Sequence, residues 1–212
     1  MPSLARLKEA LKRNRTAKEW TEILVPWLQL LALAIAGVYA VVQYEIHVNE
    51  QKKQASIDYV TRLNSEELRG INAELSARYQ RQYIRFEAKH PKFLPTDYYN
   101  FVMNDVLMFG QDKSLETNLN ILVGFLDDGV TCSESKICDE KLIKSTLGDF
   151  GETTIEQYYP YLCFWGDTFY GNKPGDDKYL DRIFGFYGAS PMAEGCPSYA
   201  VDIKKTKTSL GL

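Results

Sequence analysis

Four cysteines, Cys132, Cys138, Cys163 and Cys196, are the residues of this 212-residue chain best suited to covalent chemistry. The stretch CSESKIC sets two of them six apart across a polar loop. An even count suits two disulfides in an oxidising compartment. Cys132–Cys138 with Cys163–Cys196 is the expected pairing, one of the three ways to join four cysteines. The alternative is reduced thiols, with Cys163 in YLCFWG an ordinary buried apolar side chain. Zinc needs closer pairs, and no C-x-x-C occurs, so no metal site is expected. Histidine is scarce: His47 and His90 stand in no motif that would hold a base against a nucleophile. GNKPG lacks the Lys-Ser/Thr pair of a phosphate loop. The acid pairs Asp127–Asp128 and Asp176–Asp177 read as a helix end and a turn rather than as a general acid and base. The expectation is therefore a non-enzyme, with no catalytic residue and no cofactor.

Two features suit binding. Arg78, Arg81 and Arg85 recur at i, i+3 and i+7, so they share one helix face, and Lys89 extends it. Such a stripe would grip an anionic group: a small phosphate-bearing ligand, a lipid headgroup or an acidic partner. The plainer reading is a solvated face paired with acids such as Glu74 and Glu87. The second feature is aromatic: eleven aromatic residues fall between Tyr158 and Tyr187, among them Trp165 and Tyr170. Tyrosine and tryptophan bury large areas at low entropy cost, which suits a protein partner. They equally fill the core of a segment poor in aliphatics. With a net charge of −3, no nucleic-acid polymer is expected as a partner.

These groups need elements to position them, and the first element is membrane-like. ILVPWLQLLALAIAGVYAVVQY, residues 23–44, contains no charged residue. As a helix it is roughly 33 Å long, against about 30 Å of hydrocarbon. Trp20, Trp27, Tyr39 and Tyr44 flank it as interfacial aromatics do, and Pro26 is expected in its first turn. Small residues at AIAG and VYAV resemble cleavage sites, but the run is longer than a signal-peptide core. An uncleaved transmembrane helix in the lipid bilayer is expected. Gly37, with Ala34 and Ala36 nearby, permits helix contact and a homo-oligomer.

Residues 1–22 form a basic arm with six Lys and Arg, whereas 45–62 hold three. The positive-inside rule then places the arm in the cytoplasm and the C-terminal domain outside, which in a bacterium is the periplasm. Arg69, Arg78, Arg81, Arg85, Lys89 and Lys92 make the chain basic again and suit the opposite arrangement, a domain beside the anionic inner leaflet.

Past the anchor the pattern is helical. Residues 45–63 read as a helical stalk and 64–200 as a helical soluble domain. Ile57, Val60, Leu68, Ile71, Leu75, Tyr79, Tyr83 and Phe86 follow steps of three and four. NSEE at 64–67 is a helix start, with Asn64 or Ser65 as the cap. Thr96 and Ser114 are expected to cap two further helices, and breaks are expected near Gly148 and Gly151. The aromatic, glycine-rich stretch from residue 166 is expected to be irregular apart from one short helix near DDKYLDRIFGFYG. Residues 201–212 read as a flexible tail.

SIDYVTRLNSEELRGINAELSARY, LETNLNILVGFLDDGV and CDEKLIKSTLGDFGETTIEQYYPYL, in that order after an anchor, resemble the layout of bacterial single-pass helical membrane proteins, some of them filed under phage abortive infection. The likeness is one of layout and hydrophobic pattern over roughly residues 23–162. The basic arm, the cysteines and the aromatic end depart from it. What it implies is a non-enzymatic membrane protein in defence or signalling with a cytoplasmic domain, and it carries no site residue across. Taken together, the expected fold is mainly α: one N-terminal transmembrane helix, then an α-helical domain with an irregular aromatic and glycine-rich C-terminal segment. The expected function is a membrane-held binding or assembly module. The second reading is a cytoplasmic sensor–effector that binds a nucleotide-type anion.

Overall fold

A computed structural model describes the backbone of residues 4–169, 178–188 and 195–211, and the side chains of 24–168, 181–188 and 195–211. The fold is mainly α-helical, with no strand among the described residues. It divides into two units, Met1–Glu50 and Gln51–Leu212.

In the first unit, the described residues belong to the helix α1 (Leu4–Leu63), which continues into the second unit. Every residue from Leu24 to His47 is exposed. Trp27, Leu33 and Val38 are 65–69 % exposed, so the apolar run is uncovered among the described residues. Its length and composition suffice to cross a membrane. Pro26 lies in the interior of α1 and not in a first turn, because the helix starts at Leu4. The missing N–H leaves one preceding carbonyl without its usual partner.

The second unit has the buried core. The chain turns between Leu63 and Glu66, where the Ser65 hydroxyl accepts from Leu68 N at 3.3 Å and caps α2 (Glu66–Lys89). Leu68, Ile71, Leu75, Tyr79 and Phe86 form its buried face. Pro91 and Pro95 keep the next segment non-helical until α3 (Pro95–Asn100). Thr96 is not its cap: Leu94 holds that position, and the Asp97 carboxylate accepts from Leu94 N at 2.9 Å. The chain then loosens into a π-helical turn, Phe101–Val106.

Asp112, not Ser114, caps α4 (Lys113–Glu134), accepting from Ser114 N at 3.0 Å. Aspartate outcompetes the serine because its carboxylate also takes the Ser114 hydroxyl. Asp139 caps α5 (Glu140–Gln157) by accepting from Leu142 N at 3.1 Å. α5 passes through Gly148 and Gly151 without a break, and the expected interruption falls instead at Tyr158. The reason is packing. α7 (Lys178–Tyr187) lies against α5, and a Cβ on Gly151 would stand 2.5 Å from Tyr187 Cδ1. Gly151 is there to let a ring approach the helix backbone, and the tertiary contact outweighs its poor helix propensity. Gly129 of α4 receives the same ring system: its Cβ would meet Tyr187 Oη at 2.8 Å and Tyr59 Oη at 3.1 Å.

α6 (Tyr159–Phe169) follows directly on α5. After α7, Gly195 at φ +63° leads into a 3-10 turn, Cys196–Tyr199, and then α8 (Ala200–Leu210). The expected flexible tail is thus a helix. Ile203 is buried, the half-buried Thr206 hydroxyl lies 3.1 Å from Tyr99 Oη, and the Asp202 carboxylate accepts from the Thr96 hydroxyl at 2.9 Å. The Lys207 ammonium pairs with Asp167 at 2.7 Å. A polar-looking tail is helical because one apolar residue and three polar anchors meet α3 and α6.

The cysteines stand in two pairs at disulfide distance. Cys132 and Cys138 (S–S 2.01 Å) close the loop after α4; Cys163 and Cys196 (2.00 Å) tie α6 to the 3-10 turn before α8. This is the expected pairing.

Candidate binding surfaces

The arginine stripe on α2 is divided by the fold. Arg78 is half-buried and turned toward the π-helical turn: its Nε donates to Val106 O, and its Nη2 reaches Asp105 O at 3.5 Å. Those carbonyls lie at the end of a helical turn, where intrahelical donors run out. The guanidinium therefore acts as a cap supplied from another element. Glu74 is drawn away as well, accepting from Asn118 Nδ2 of α4 at 2.8 Å, so it does not neutralise the stripe.

What is left for a ligand is Arg81, Arg85 and Lys89. All three are exposed, and none makes a hydrogen bond or ion pair among the described residues. Ile84, 70 % exposed, lies beside them, about 60° around the helix from Arg81. At the helix end His90 stacks on Phe86, with ring centroids 5.0 Å apart. Phe93 and Leu94 then leave the apolar surface partly open, Leu94 at 68 % exposure. The outcome is a cationic patch with apolar tips. Glu87 is exposed on the same helix and is the nearest acid in sequence.

The aromatic segment goes the other way. Tyr158, Tyr159, Tyr161, Phe164, Phe184 and Tyr187 are all buried. Trp165 is half-buried against the same core, and Tyr170 lies outside the described residues. Most of the described cluster is core, and three of its hydroxyls find acceptors as their rings are covered. Tyr158 Oη donates to Leu75 O at 3.1 Å, Tyr161 Oη to Asn120 Oδ1 at 2.8 Å, and Tyr187 Oη to Leu126 O at 2.8 Å. Tyr79 and Tyr98 share a hydroxyl contact of 3.0 Å, and Tyr98 Oη donates on to Gln157 O at 3.1 Å. Burial pushes the pKa of Tyr59, Tyr79, Tyr98, Tyr158, Tyr161 and Tyr187 up, and that of Tyr99 up to about 12. These phenols stay neutral and structural.

Asp127 is likewise structural. It lies inside α4, not at its end, and with Glu134 it holds Arg182 of α7, the Glu134 contact being 3.0 Å. Asp176 and Asp177 lie outside the described residues. This brace was hidden in the sequence, although Asp127 and Glu134 are seven residues apart and so share an α4 face. Among the described residues no group of three or more His, Cys, Asp or Glu could hold a metal.

One groove of about 540 Å³ opens beside the turn between α1 and α2, over α4. Its wall combines Arg62 with two carboxylates, Glu67 and Asp128, and an apolar floor at Leu68 and Phe125. Arg62 also stands over the Tyr59 ring, 5.8 Å from its centroid. The acids offset the cation, so this groove is a weaker anion site than the α2 patch.

No protein family, curated protein or solved structure gives a significant match to this chain, so the geometry alone informs its function.

Proposed function

We propose that the chain is a non-enzymatic binding module, held in a bacterial inner membrane by α1 and presenting its helical domain to a protein partner in the periplasm. The anchor reading is supported by the uncovered apolar run from Leu24, which contrasts with the closed core of Gln51–Leu212. The observation that carries the periplasmic side is the pairing of all four cysteines at disulfide distance. Such pairs persist in oxidising compartments and are rare in the cytosol. The excess of positive residues before residue 23 supports the same orientation. The partner surface is the exposed end of α2: Arg81, Arg85 and Lys89 attract an acidic partner, and Ile84 and Leu94 provide apolar contact. The test is capture of a crosslinked partner from intact cells through a photoreactive side chain at position 84. Loss of that product in an Arg81→Glu, Arg85→Glu variant supports the reading, and an unchanged product refutes it.

A second reading rests on one specific observation, the unpaired state of the same three cations among the described residues. In it the domain is cytoplasmic and the patch binds a nucleotide-type anion that drives a membrane-perturbing response. It requires thermal stabilisation by such a ligand that disappears in Arg81→Ala and Arg85→Ala. Arg78→Ala is not a test of it, because that side chain caps the π-helical turn.

A further inference from the structure

The apolar run of α1 contains two polar side chains, Gln29 and Gln43. At 3.6 residues per turn both lie within about 20° of Ala36 around the helix axis, and Ala32 and Ala40 lie within about 40° of it. The polar side chains of the run and three small ones thus share one narrow face. Trp27, Leu31 and Val38 stand on the opposite side, and Gly37 is displaced by about 100°. All these side chains are exposed, and neither glutamine makes a hydrogen bond among the described residues.

In hydrocarbon an amide without a partner is disfavoured, and lipid tails offer it none. Gln29 is the more demanding of the two, because it lies more than a turn inside the run, whereas Gln43 is next to the last residue. A glutamine amide carries both donors and acceptors, so it is complementary to another glutamine. Every copy of the chain inserts the same way round. A second copy therefore brings a glutamine to each of the two depths, about 21 Å apart, at which one is needed. A different partner would have to match both depths independently. The alanines between them let two backbones approach. Resting on the membrane reading above, we infer that two copies of this chain associate in parallel through the Gln29–Ala36–Gln43 face of α1.

The test uses the full-length chain in isolated membranes, with single cysteines introduced by Ala32→Cys, Ala36→Cys or Ala40→Cys, and on the far side by Leu31→Cys, Ala34→Cys or Val38→Cys. The unsubstituted chain sets the background from the native cysteines. Mild oxidation is expected to give dimer at 32, 36 and 40 at several-fold the yield of 31, 34 and 38. Gln29→Leu should reduce the dimer yield of Ala36→Cys several-fold, and Val38→Leu should leave it unchanged. A chain that washes out of the membrane at alkaline pH overturns the anchor reading and this inference with it. A chain that is retained but crosslinks evenly, on another face or not at all overturns the inference alone.

Discussion

Adding one methyl group at Gly151 tests how closely α5 and α7 approach. The new Cβ would meet Tyr187 Cδ1 at 2.5 Å and Cγ at 2.6 Å. Ordinary carbon contacts are about 3.5–4.0 Å, so the ring has to retreat by about 1 Å. Tyr187 is 4 % exposed, so its ring would have to retreat within the packed core. The same movement would stretch its hydrogen bond to Leu126 O, now 2.8 Å, beyond useful length. Overpacking costs about 1–3 kcal/mol and a lost buried hydrogen bond about 1 kcal/mol. Replacing glycine by alanine in a helix returns about 1 kcal/mol. Gly151→Ala is therefore expected to destabilise by about 1–3 kcal/mol, a fall in Tm of roughly 2–12 °C for a domain of this size. Gly148, one turn earlier in the same helix, has nothing within 4 Å of its Cβ position. Gly148→Ala should therefore stabilise by up to about 1 kcal/mol. The assay is thermal unfolding of the full chain in detergent, followed by tryptophan fluorescence. Equal stabilisation by both substitutions would refute the close approach of α7, and so would a Gly151→Ala penalty that survives in a Tyr187→Ala background.

Other outcomes follow from the same geometry. Replacing Cys163 and Cys196 by serine opens a closure of 33 residues, worth about 3.7 kcal/mol by loop entropy, whereas the six-residue closure of Cys132 and Cys138 is worth about 2.2 kcal/mol. The first pair of substitutions should lower Tm more than the second. Arg78→Ala removes two donors from the π-helical turn and should cost about 1–2 kcal/mol, while Arg81→Ala stays within about 0.5 kcal/mol; chemical denaturation of the two variants distinguishes them. The buried phenols make the fold sensitive to alkali. Their folded pKa values are raised above the unfolded value near 10, so their contribution is complete below about pH 10 and is lost as pH rises through the folded values. Each contributes a slope of about 1.4 kcal/mol per pH unit. Phenolate absorbance of these residues should rise together with unfolding, and a gradual rise in a folded chain would contradict their burial.

Much of the fold was legible because local physics agreed with the tertiary structure. The apolar steps of α2 marked its buried face, NSEE narrowed its start to Asn64 or Ser65, and the six-residue spacing of Cys132 and Cys138 suggested a small closed loop. The misreadings occurred where a distant contact decided the outcome. Gly148 and Gly151 looked like a helix break because nothing local announces the Tyr187 ring that Gly151 accommodates. DIKKTKTSLGL looked mobile because its attachment depends on Tyr99, Thr96 and Asp167, all far away in sequence. The candidate site was half legible. Helical spacing put Arg78, Arg81 and Arg85 on one face, but it was silent on the carbonyls of Asp105 and Val106 that take Arg78 out of the stripe. Aromatic density alone is compatible with core and with surface, and the acceptors at Leu75, Asn120 and Leu126 mark Tyr158, Tyr161 and Tyr187 as core.

The central claim, a domain held on the oxidising side of the membrane, is tested most directly by the thiol state of Cys132. It is half-exposed, whereas Cys138, Cys163 and Cys196 are buried, so it is the thiol that a reagent would reach on the folded chain. Cells with a permeabilised outer membrane would be treated with a membrane-impermeant maleimide, with and without prior mild reduction. The account predicts labelling only after reduction, with the inner membrane intact. Labelling that requires a breached inner membrane, and then proceeds without reductant, would contradict it.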